Sequence, residues 1–384
     1  MENEAPLART EATAAGSPEN ALVSVVMANF RGAAYLKRAM QSVLDQTHDR
    51  IELIVADDAS DDDSVAIARG MAQNDERVRV LASDRNQGPA ATRNRALDAA
   101  AGDWIAIVDS DDLIHPRRIA RLLTAAQGHG ADLVADDLVH FGAPEAQGGR
   151  TLLQPLAMTK PRMIDTALFL RANSGDPRVP GLGYLKPLIS RRALGSHRYD
   201  GRLQIGEDYD LILRILLGGA CYLLLPDPLY AYRRHASSIS HRLSVDRMAA
   251  MLAAHRALPR MEDPAAGKAA AAVDRYLRRA LRYERLVSDI KGRHLTRVAP
   301  RMVDPAMLGR LFASLQDRRR RNAAQGARPV ERLVACPVMP EAGAAWPSAP
   351  ADPAAAIASE ASQGRTALPA DAPDWARWLD SAVR

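Results

Sequence analysis

The sequence predicts an α/β protein: a mostly parallel central sheet with helices on both faces, followed by a helical C-terminal region. Two observations carry that prediction. Short apolar runs rich in β-branched residues alternate with segments of helical period, the pattern of parallel strands joined by crossover helices. Acidic turns, Asp57-Asp58-Ala59-Ser60 and Asp109-Ser110-Asp111-Asp112, close two of those runs. In open sheets of this class, ligands sit at the carboxyl ends of strands.

Residues 1–20 are polar, acidic and proline-containing, without the basic start and apolar centre of a signal peptide, and read as a flexible leader. Ala21 to Met27 is apolar apart from Ser24 and suits a central parallel strand. Leu36, Met40 and Val43 recur at helical spacing, which predicts a helix from Ala33 to Leu44. Ile51–Ala56 is the second strand, and the polar turn after it supplies N-cap residues for a helix through Val65, Ala68 and Met71. Val78 to Leu81 is the third strand. Asn86-Gln87-Gly88-Pro89 then leads into a helix from Ala90 to Ala101, stopped by Gly102. Trp104–Val108 is the fourth strand, and another helix starts near His115-Pro116.

Beyond this regular half, residues 141–182 are rich in Gly, Pro and Arg and read as a loop or small subdomain. Leu203 to Leu217 contains a helix, Cys221–Leu225 is a strand, and Pro228–Tyr230 is strand-like. A helix covers Val273 to Ile290, with Tyr276, Ala280, Tyr283, Val287 and Ile290 as its apolar stripe and Arg275, Arg278, Arg282 and Arg285 off it. Arg318 to Arg321 is a charge run. After Pro337 the chain turns Ala/Pro-rich and is expected to be mostly disordered, with a short helix from Asp374 to Val383. The expected division is a leader (1–20), an α/β domain (21–242), a basic helical region (243–335) and the tail (336–384).

The two cysteines, Cys221 and Cys336, match no ligand spacing, which argues against a disulfide framework or zinc site and fits a reducing compartment. No apolar run approaches the roughly 18–20 residues of a spanning helix. The expected location is therefore cytoplasmic, with any membrane contact peripheral, at the inner face. The arginine-rich C-terminal half suits an anionic surface or lipid diphosphate, and equally a solvated helical face. It lacks interleaved aromatics or a recognised module, so no nucleic acid partner is expected.

Three carboxylates at the end of a buried strand repel one another and lose hydration, and a hard divalent cation would compensate them. An N-cap with solvated neighbours explains Asp109, Asp111 and Asp112 as well. An ordinary capped turn does the same for Asp57 and Asp58. Arg93 and Arg95, on the helix after Gly88-Pro89, would face a phosphate or base, or simply solvent. Glu207-Asp208 complements a helix dipole or supplies a general base. His235, in Tyr232-Arg233-Arg234-His235, is a structural residue or an added ligand to a nearby cation.

Taken together these pieces follow an order. Val23-Ser24-Val25-Val26-Met27-Ala28-Asn29-Phe30 is followed by Ser42-Val43-Leu44-Asp45-Gln46-Thr47, Asp57-Asp58-Ala59-Ser60, Asn86-Gln87-Gly88 and Thr92-Arg93-Asn94. Asp109-Ser110-Asp111-Asp112, Gly206-Glu207-Asp208 and Tyr232-Arg233-Arg234-His235 complete the series. In that order and spacing, residues 22–240 resemble the family 2 glycosyltransferases, which have the nucleotide-sugar-binding GT-A fold. Gly181-Leu182-Gly183-Tyr184-Leu185-Lys186-Pro187 and the run from Gly206 to Arg214 look like bacterial exopolysaccharide glucosyltransferases of the succinoglycan type.

The resemblance implies roles. Asp58, with Asp57 beside it, corresponds to the carboxylate that bonds the uracil ring, and Ala28 lies where the first strand meets the nucleotide. Asp109 corresponds to the residue contacting ribose or sugar. Asp111 with Asp112 corresponds to the acids that link Mg²⁺ or Mn²⁺ to the donor diphosphate, and His235 to a residue near that metal. Asp208 corresponds to the catalytic base, with Glu207 beside it. The implied reaction is inverting, metal-dependent transfer of a sugar, glucose from UDP-glucose, to a saccharide acceptor carried on a polyprenyl diphosphate. Two other readings stay open. A nucleotide-binding oxidoreductase would want glycines in the turn Ala28–Ala33, where only Gly32 occurs. A catalytically silent sugar-nucleotide-binding or scaffold protein would not need the acids at 58, 109, 111 and 208.

Overall fold

The β-branched runs and amphipathic segments of the first hundred residues form the expected alternation. The computed structural model describes residues 20–142, 151–176, 178–234 and 243–298, with Met307, Gly309 and Leu311 beyond them. In chain order the first half comprises β1 (Val23–Asn29), α1 (Ala33–Leu44), β2 (Ile51–Asp57), α2 (Ser64–Ala72), β3 (Val78–Ala82), α3 (Pro89–Ala99), β4 (Trp104–Ile107), β5 (Leu113–Ile114) and α4 (Arg118–His129). There follow β6 (Leu133–Phe141), β7 (Arg162–Ile164), α5 (Thr166–Ala172), β8 (Leu188–Ser190), α6 (Arg191–Leu194), α7 (Glu207–Leu217) and β9 (Tyr222–Arg233). The described chain closes with α8 (Val245–Arg256), α9 (Pro264–Lys291) and α10 (Leu295–Val298).

Among the described residues these strands form one sheet, ordered β3-β2-β1-β4-β8-β6-β9-β5, with β7 paired to β9. The run β3-β2-β1-β4 is parallel, as is β6 with β9. β8 enters antiparallel between β4 and β6, and the short strands β5 and β7 pair antiparallel with β9. Successive side chains of a strand point to opposite faces. All of β1 except Ala28 is buried, so both faces of the sheet are covered. α3 packs on β1 and β2, α1 against α2 and β5, and α4 against β6. Leu53, Ile54, Ile105 and Leu133 in this core are fully buried, and truncating any one to Ala would cost about 2–5 kcal/mol.

Several boundaries differ from expectation for identifiable reasons. The strand Cys221–Leu225 and the segment Pro228–Tyr230 are one strand, β9. Pro226 and Pro228 lack an N–H for the ladder, and the β6–β9 register shifts on either side of Asp137. Residues 151–182 hold β7 and α5 rather than loop alone, and Asp165 caps α5 by accepting from the Leu168 amide at 2.6 Å. α9 starts at Pro264, nine residues before the start of its predicted span at Val273, because Asp263 accepts from the Ala265 and Ala266 amides with Pro264 in the first turn.

The apolar face of α9 keeps part of the predicted stripe, with Ala280 and Tyr283 buried and Val287 half-buried. Its buried seam runs through Val273, Leu277, Ala280 and Leu281, whereas Tyr276 and Ile290 are exposed. That seam packs on α5 and α8 and joins the same core as the sheet. The described part of the helical region therefore shares a core with the α/β domain. Among the described residues, no helix is long and apolar enough to cross a membrane. The leader up to residue 19, the charge run Arg318–Arg321, Cys336, the tail and its short helix lie outside the described residues, as does His235.

Candidate active site

The strand order puts β2 on one side of β1 and β4 on the other. The chain switches direction at that point and leaves a crevice beyond the strand ends. Val26 pairs with Ile107, which sets Asp109 level with Ala28 across the crevice. Ala28 is the one half-buried residue of β1.

The two acidic turns behave differently. Asp57 is buried, and its carboxylate accepts from the Asn29 amide at 2.7 Å, the Ser60 hydroxyl at 2.7 Å and the Ser60 backbone N–H at 2.9 Å. It ties β1 to the turn after β2. Asp58 accepts from the Gln87 and Gly88 amides, both at 2.8 Å, and so clamps the loop before α3 onto the end of β2. Gly88, at φ 88°, has the left-handed conformation that this approach requires. Each carboxylate is thus placed as expected at the strand ends, with its oxygens engaged by the protein.

On the other side of the crevice a network of charges closes. Arg93, inward-facing on α3, donates through Nη2 to Asp109 at 2.7 Å and through Nη1 to Glu207 at 2.6 Å. Lys186 Nζ lies 2.8 Å from Asp109 Oδ2 and 2.7 Å from Asp208 Oδ2. The Tyr199 hydroxyl donates to Asp208 Oδ1 at 3.0 Å. Two cations and three carboxylates are therefore joined in one cluster. Burial alone would raise the Asp109 pKa, but the Lys186 and Arg93 charges hold it well below the usual carboxylate range. Burial and the Asp208 charge push the Tyr199 hydroxyl well up, so it stays protonated as a donor. Glu207 is raised by burial and by Asp208, against the pull of Arg93.

Glu207, Asp208 and Asp210 occupy the first turn of α7, where negative charge complements the helix dipole. Gly206 precedes them at φ 78°, and a Cβ there would come within 2.5 Å of the Met251 side chain. This left-handed residue starts the helix at Glu207, inside the predicted segment.

Asp112 sits in the same loop after β4. It is buried, and its two oxygens accept from the Tyr230 hydroxyl and the Arg233 amide, each at 2.7 Å. Burial, then the charges of Asp111 and Asp109, push its pKa well up. Asp112 ties the loop after β4 to β9 through both carboxylate oxygens. Asp111 is half-buried beside it. Among the described residues no three His, Cys, Asp or Glu side chains converge as a metal site. A Mg²⁺ or Mn²⁺ ion held here would take carboxylate oxygens of this loop together with substrate oxygens, the mixed coordination such ions favour.

Sequence reasoning missed Lys186, Tyr199 and Tyr230. Lys186 left a signal, a lone charge in the apolar run Leu185-Lys186-Pro187-Leu188-Ile189 that must find partners if buried. Tyr230 donates to Asp112 and accepts from the Asp109 amide at 3.2 Å. Neither tyrosine carries a local pattern that marks it. Arg95, close to Arg93 in the pattern, donates to the Asp57 carbonyl at 2.8 Å.

Known proteins share this sequence and architecture. Residues 24–181 match the family described as Glycosyl transferase family 2. The succinoglycan biosynthesis protein ExoO of Rhizobium meliloti (strain 1021) is 33% identical over 316 residues, covering 80% of this chain and 88% of that protein. The crystal structure of S. aureus TarS 1-349 in complex with UDP-GlcNAc superposes with a TM-score of 0.54 at 18% identity, covering 67% of this chain and 71% of that one. The mannosyltransferase PcManGT from Pyrobaculum calidifontis, in complex with GDP-Man and Mn²⁺, gives a TM-score of 0.51 at 16% identity, with 79% and 86% covered. With the parallel β3-β2-β1-β4 half-sheet and its acidic crevice, these likenesses settle the class: the chain is a glycosyltransferase of the GT-A fold and belongs to glycosyl transferase family 2.

Proposed function

We propose that this glycosyltransferase moves glucose from UDP-glucose to a saccharide acceptor with inversion, in exopolysaccharide biosynthesis, and that the acceptor is carried on a polyprenyl diphosphate. The observation that carries this reading is Asp208, a partly exposed carboxylate at the head of α7, linked through Lys186 to Asp109 at the crevice. A base must be ionised and within reach of the proton it takes. Asp208 accepts the acceptor hydroxyl's proton as that oxygen attacks the anomeric carbon from the face opposite the nucleotide. The bond to the nucleoside diphosphate breaks in the same displacement, so an α-linked donor gives a β-glycoside.

Ala28, Asp57, Asp58, Arg93, Asp109 and Glu207 belong to the donor side. Asp57 and Asp58 shape the base pocket by holding Asn29, Ser60 and the Gln87-Gly88 loop in place, and Arg93 and Asp109 line the sugar end. Asp111 is the proposed cation ligand, with His235 as a second from outside the described residues. When bound, the cation neutralises charge on the departing diphosphate. The relative named for succinoglycan biosynthesis, the UDP-GlcNAc in TarS and the Mn²⁺ in PcManGT support these choices. Peripheral contact of the basic face of α9 with the inner membrane surface completes the proposal.

The test is a panel of nucleotide sugars with Mn²⁺ or Mg²⁺, scoring nucleotide release with and without membrane lipid extract. UDP-glucose with lipid extract is expected to give the greatest release. Release from no nucleotide sugar overturns the reading.

A further inference from the structure

We propose that Lys186 is a positioning residue for the base: it bridges Asp208 to the donor-side Asp109, so that the aim of the base depends on that bridge. The inference rests on the reading of Asp208 as the base. Lys186 is buried, and its one ammonium meets both carboxylates within 2.8 Å. Asp208 belongs to α7 and Asp109 to the loop after β4, and Lys186 joins these two elements at a single atom. Tyr199 holds the other oxygen of Asp208, which fixes the carboxylate plane at both ends.

The bridge is itself supported from behind. Arg118 and Asp136 form a fully buried ion pair, bonded at 2.7 to 3.0 Å. Arg118 Nη2 also donates to the Lys186 carbonyl at 2.5 Å, and its guanidinium lies 4.9 Å over the Tyr230 ring. A buried ion pair adds little net stability against an apolar alternative, and its better-attested use is to fix one arrangement. Here the arrangement fixed is the backbone of Lys186 against the strand β6 that carries Asp136. Arg93 donates to Asp109 and Glu207, while the ammonium in direct contact with Asp208 is that of Lys186.

A first experiment reads the bridge without turnover. The chain has five lysines, and the other four are exposed, so a spectrum of ¹⁵N-lysine protein should show one slowly exchanging ammonium. Lys186→Arg should remove that signal, and Asp208→Asn and Asp109→Asn should each shift or broaden it. A second experiment reads the role. Lys186→Met should lower kcat for sugar transfer about 100-fold, the scale of a misplacement near 1 Å, with calorimetric UDP affinity and donor KM changed less than about threefold. Lys186→Arg should recover at least about tenfold of the loss, since a guanidinium can hold two carboxylates. An ammonium signal indifferent to Asp208→Asn overturns the proposal. So does a Lys186→Met enzyme with near wild-type kcat, or one whose UDP affinity falls by the same factor as kcat. No turnover by the wild-type chain overturns the reading of the reaction and this role with it; wild-type turnover with an indifferent Lys186→Met overturns this role alone.

Discussion

Arg93 and Glu207 meet at 2.6 Å, although 114 residues of chain separate them. The contact joins α3 of the parallel half-sheet to α7 of the later half, and it puts the acidic helix start against the crevice. Arg93 is buried and holds Asp109 with its other nitrogen. Removing it takes the paired cation from buried Glu207 and leaves Asp109 with Lys186 alone. Arg93→Met is expected to destabilise the fold by about 3–5 kcal/mol, the cost of breaking a buried pair from one side. Adding Glu207→Gln should recover part of that loss, because one stranded charge is removed. Denaturant unfolding of the two variants checks this, and a loss below about 1 kcal/mol for Arg93→Met would place the pair among ordinary surface contacts.

Asp208→Asn keeps the size of the side chain and an oxygen for the Tyr199 hydroxyl, but cannot take up a proton. UDP affinity should stay near wild type while transfer falls by about 10²–10⁴-fold, the span of general-base catalysis. Calorimetry and a sugar-transfer assay measure the two halves separately. Transfer at the wild-type rate would move the base elsewhere, with Glu207 next in line.

UDP should bind at least about tenfold more weakly in EDTA than in Mg²⁺, since phosphate oxygens entering beside Asp111 need a cation between them. Asp111→Asn should erase most of that difference, whereas Asp112→Asn should mainly lower stability, because both Asp112 oxygens are engaged within the sheet. Equal UDP affinity in EDTA and Mg²⁺ would remove the cation from the proposal.

The parallel half of the fold was legible because each of its strands is a short β-branched run bounded by turn residues, as in Ile51 to Ala56. The later half was harder to read. β8 is three residues long, too short for any periodicity, and β9 passes through two prolines that ordinarily end a strand. Of the site, Arg93, Asp109, Glu207 and Asp208 are joined by ion pairs that no single motif named. The partners of Asp112 were not readable, since Tyr230 and Arg233 reach it across about 120 residues of chain. Lys186 belonged to a quoted motif, yet nothing in that motif says which carboxylates a buried lysine will choose.

The basic face of α9 makes a prediction about membranes. Arg275, Arg279, Arg282 and Arg285 are exposed on this 28-residue helix, and Arg278 is paired with Asp274. A basic residue near an anionic leaflet is worth about 1 kcal/mol, and the attraction fades beyond about 8–10 Å at ordinary salt. Changing those four exposed arginines to Gln should abolish sedimentation with anionic liposomes while leaving the fold intact. Truncating the helix would be a poor test, because Val273 and Leu277 belong to the main core. Retention of the four-Gln protein on anionic liposomes would rule this face out as the membrane contact.

Asp137 makes a prediction about pH. It lies at the register shift between β6 and β9, buried, and its Oδ1 accepts from the Leu138 and Leu153 amides at 2.8 Å. Burial, with a smaller push from the Asp136 charge, raises its pKa from 3.8 to about 7, against the hydrogen bonds from Thr151, Leu153 and Leu138. Between about pH 4 and pH 7 the folded chain keeps a proton that the unfolded chain has released. The stability contributed by protonated Asp137 is therefore complete below pH 4 and lost as pH rises through 7, with a slope of up to about 1.4 kcal/mol per pH unit. His140 works in the opposite sense, since burial and then Arg234 lower its pKa to about 4, and raw stability curves will mix the two. Asp137→Asn isolates the carboxylate: it keeps the Oδ1 acceptor, cannot ionise, and leaves His140 in both proteins. The variant's stability relative to wild type should be smallest near pH 4, improve steadily toward pH 7 and level off above it. Urea unfolding of both proteins across that range measures the difference, and a difference independent of pH would show that Asp137 titrates alike in the folded and unfolded chain.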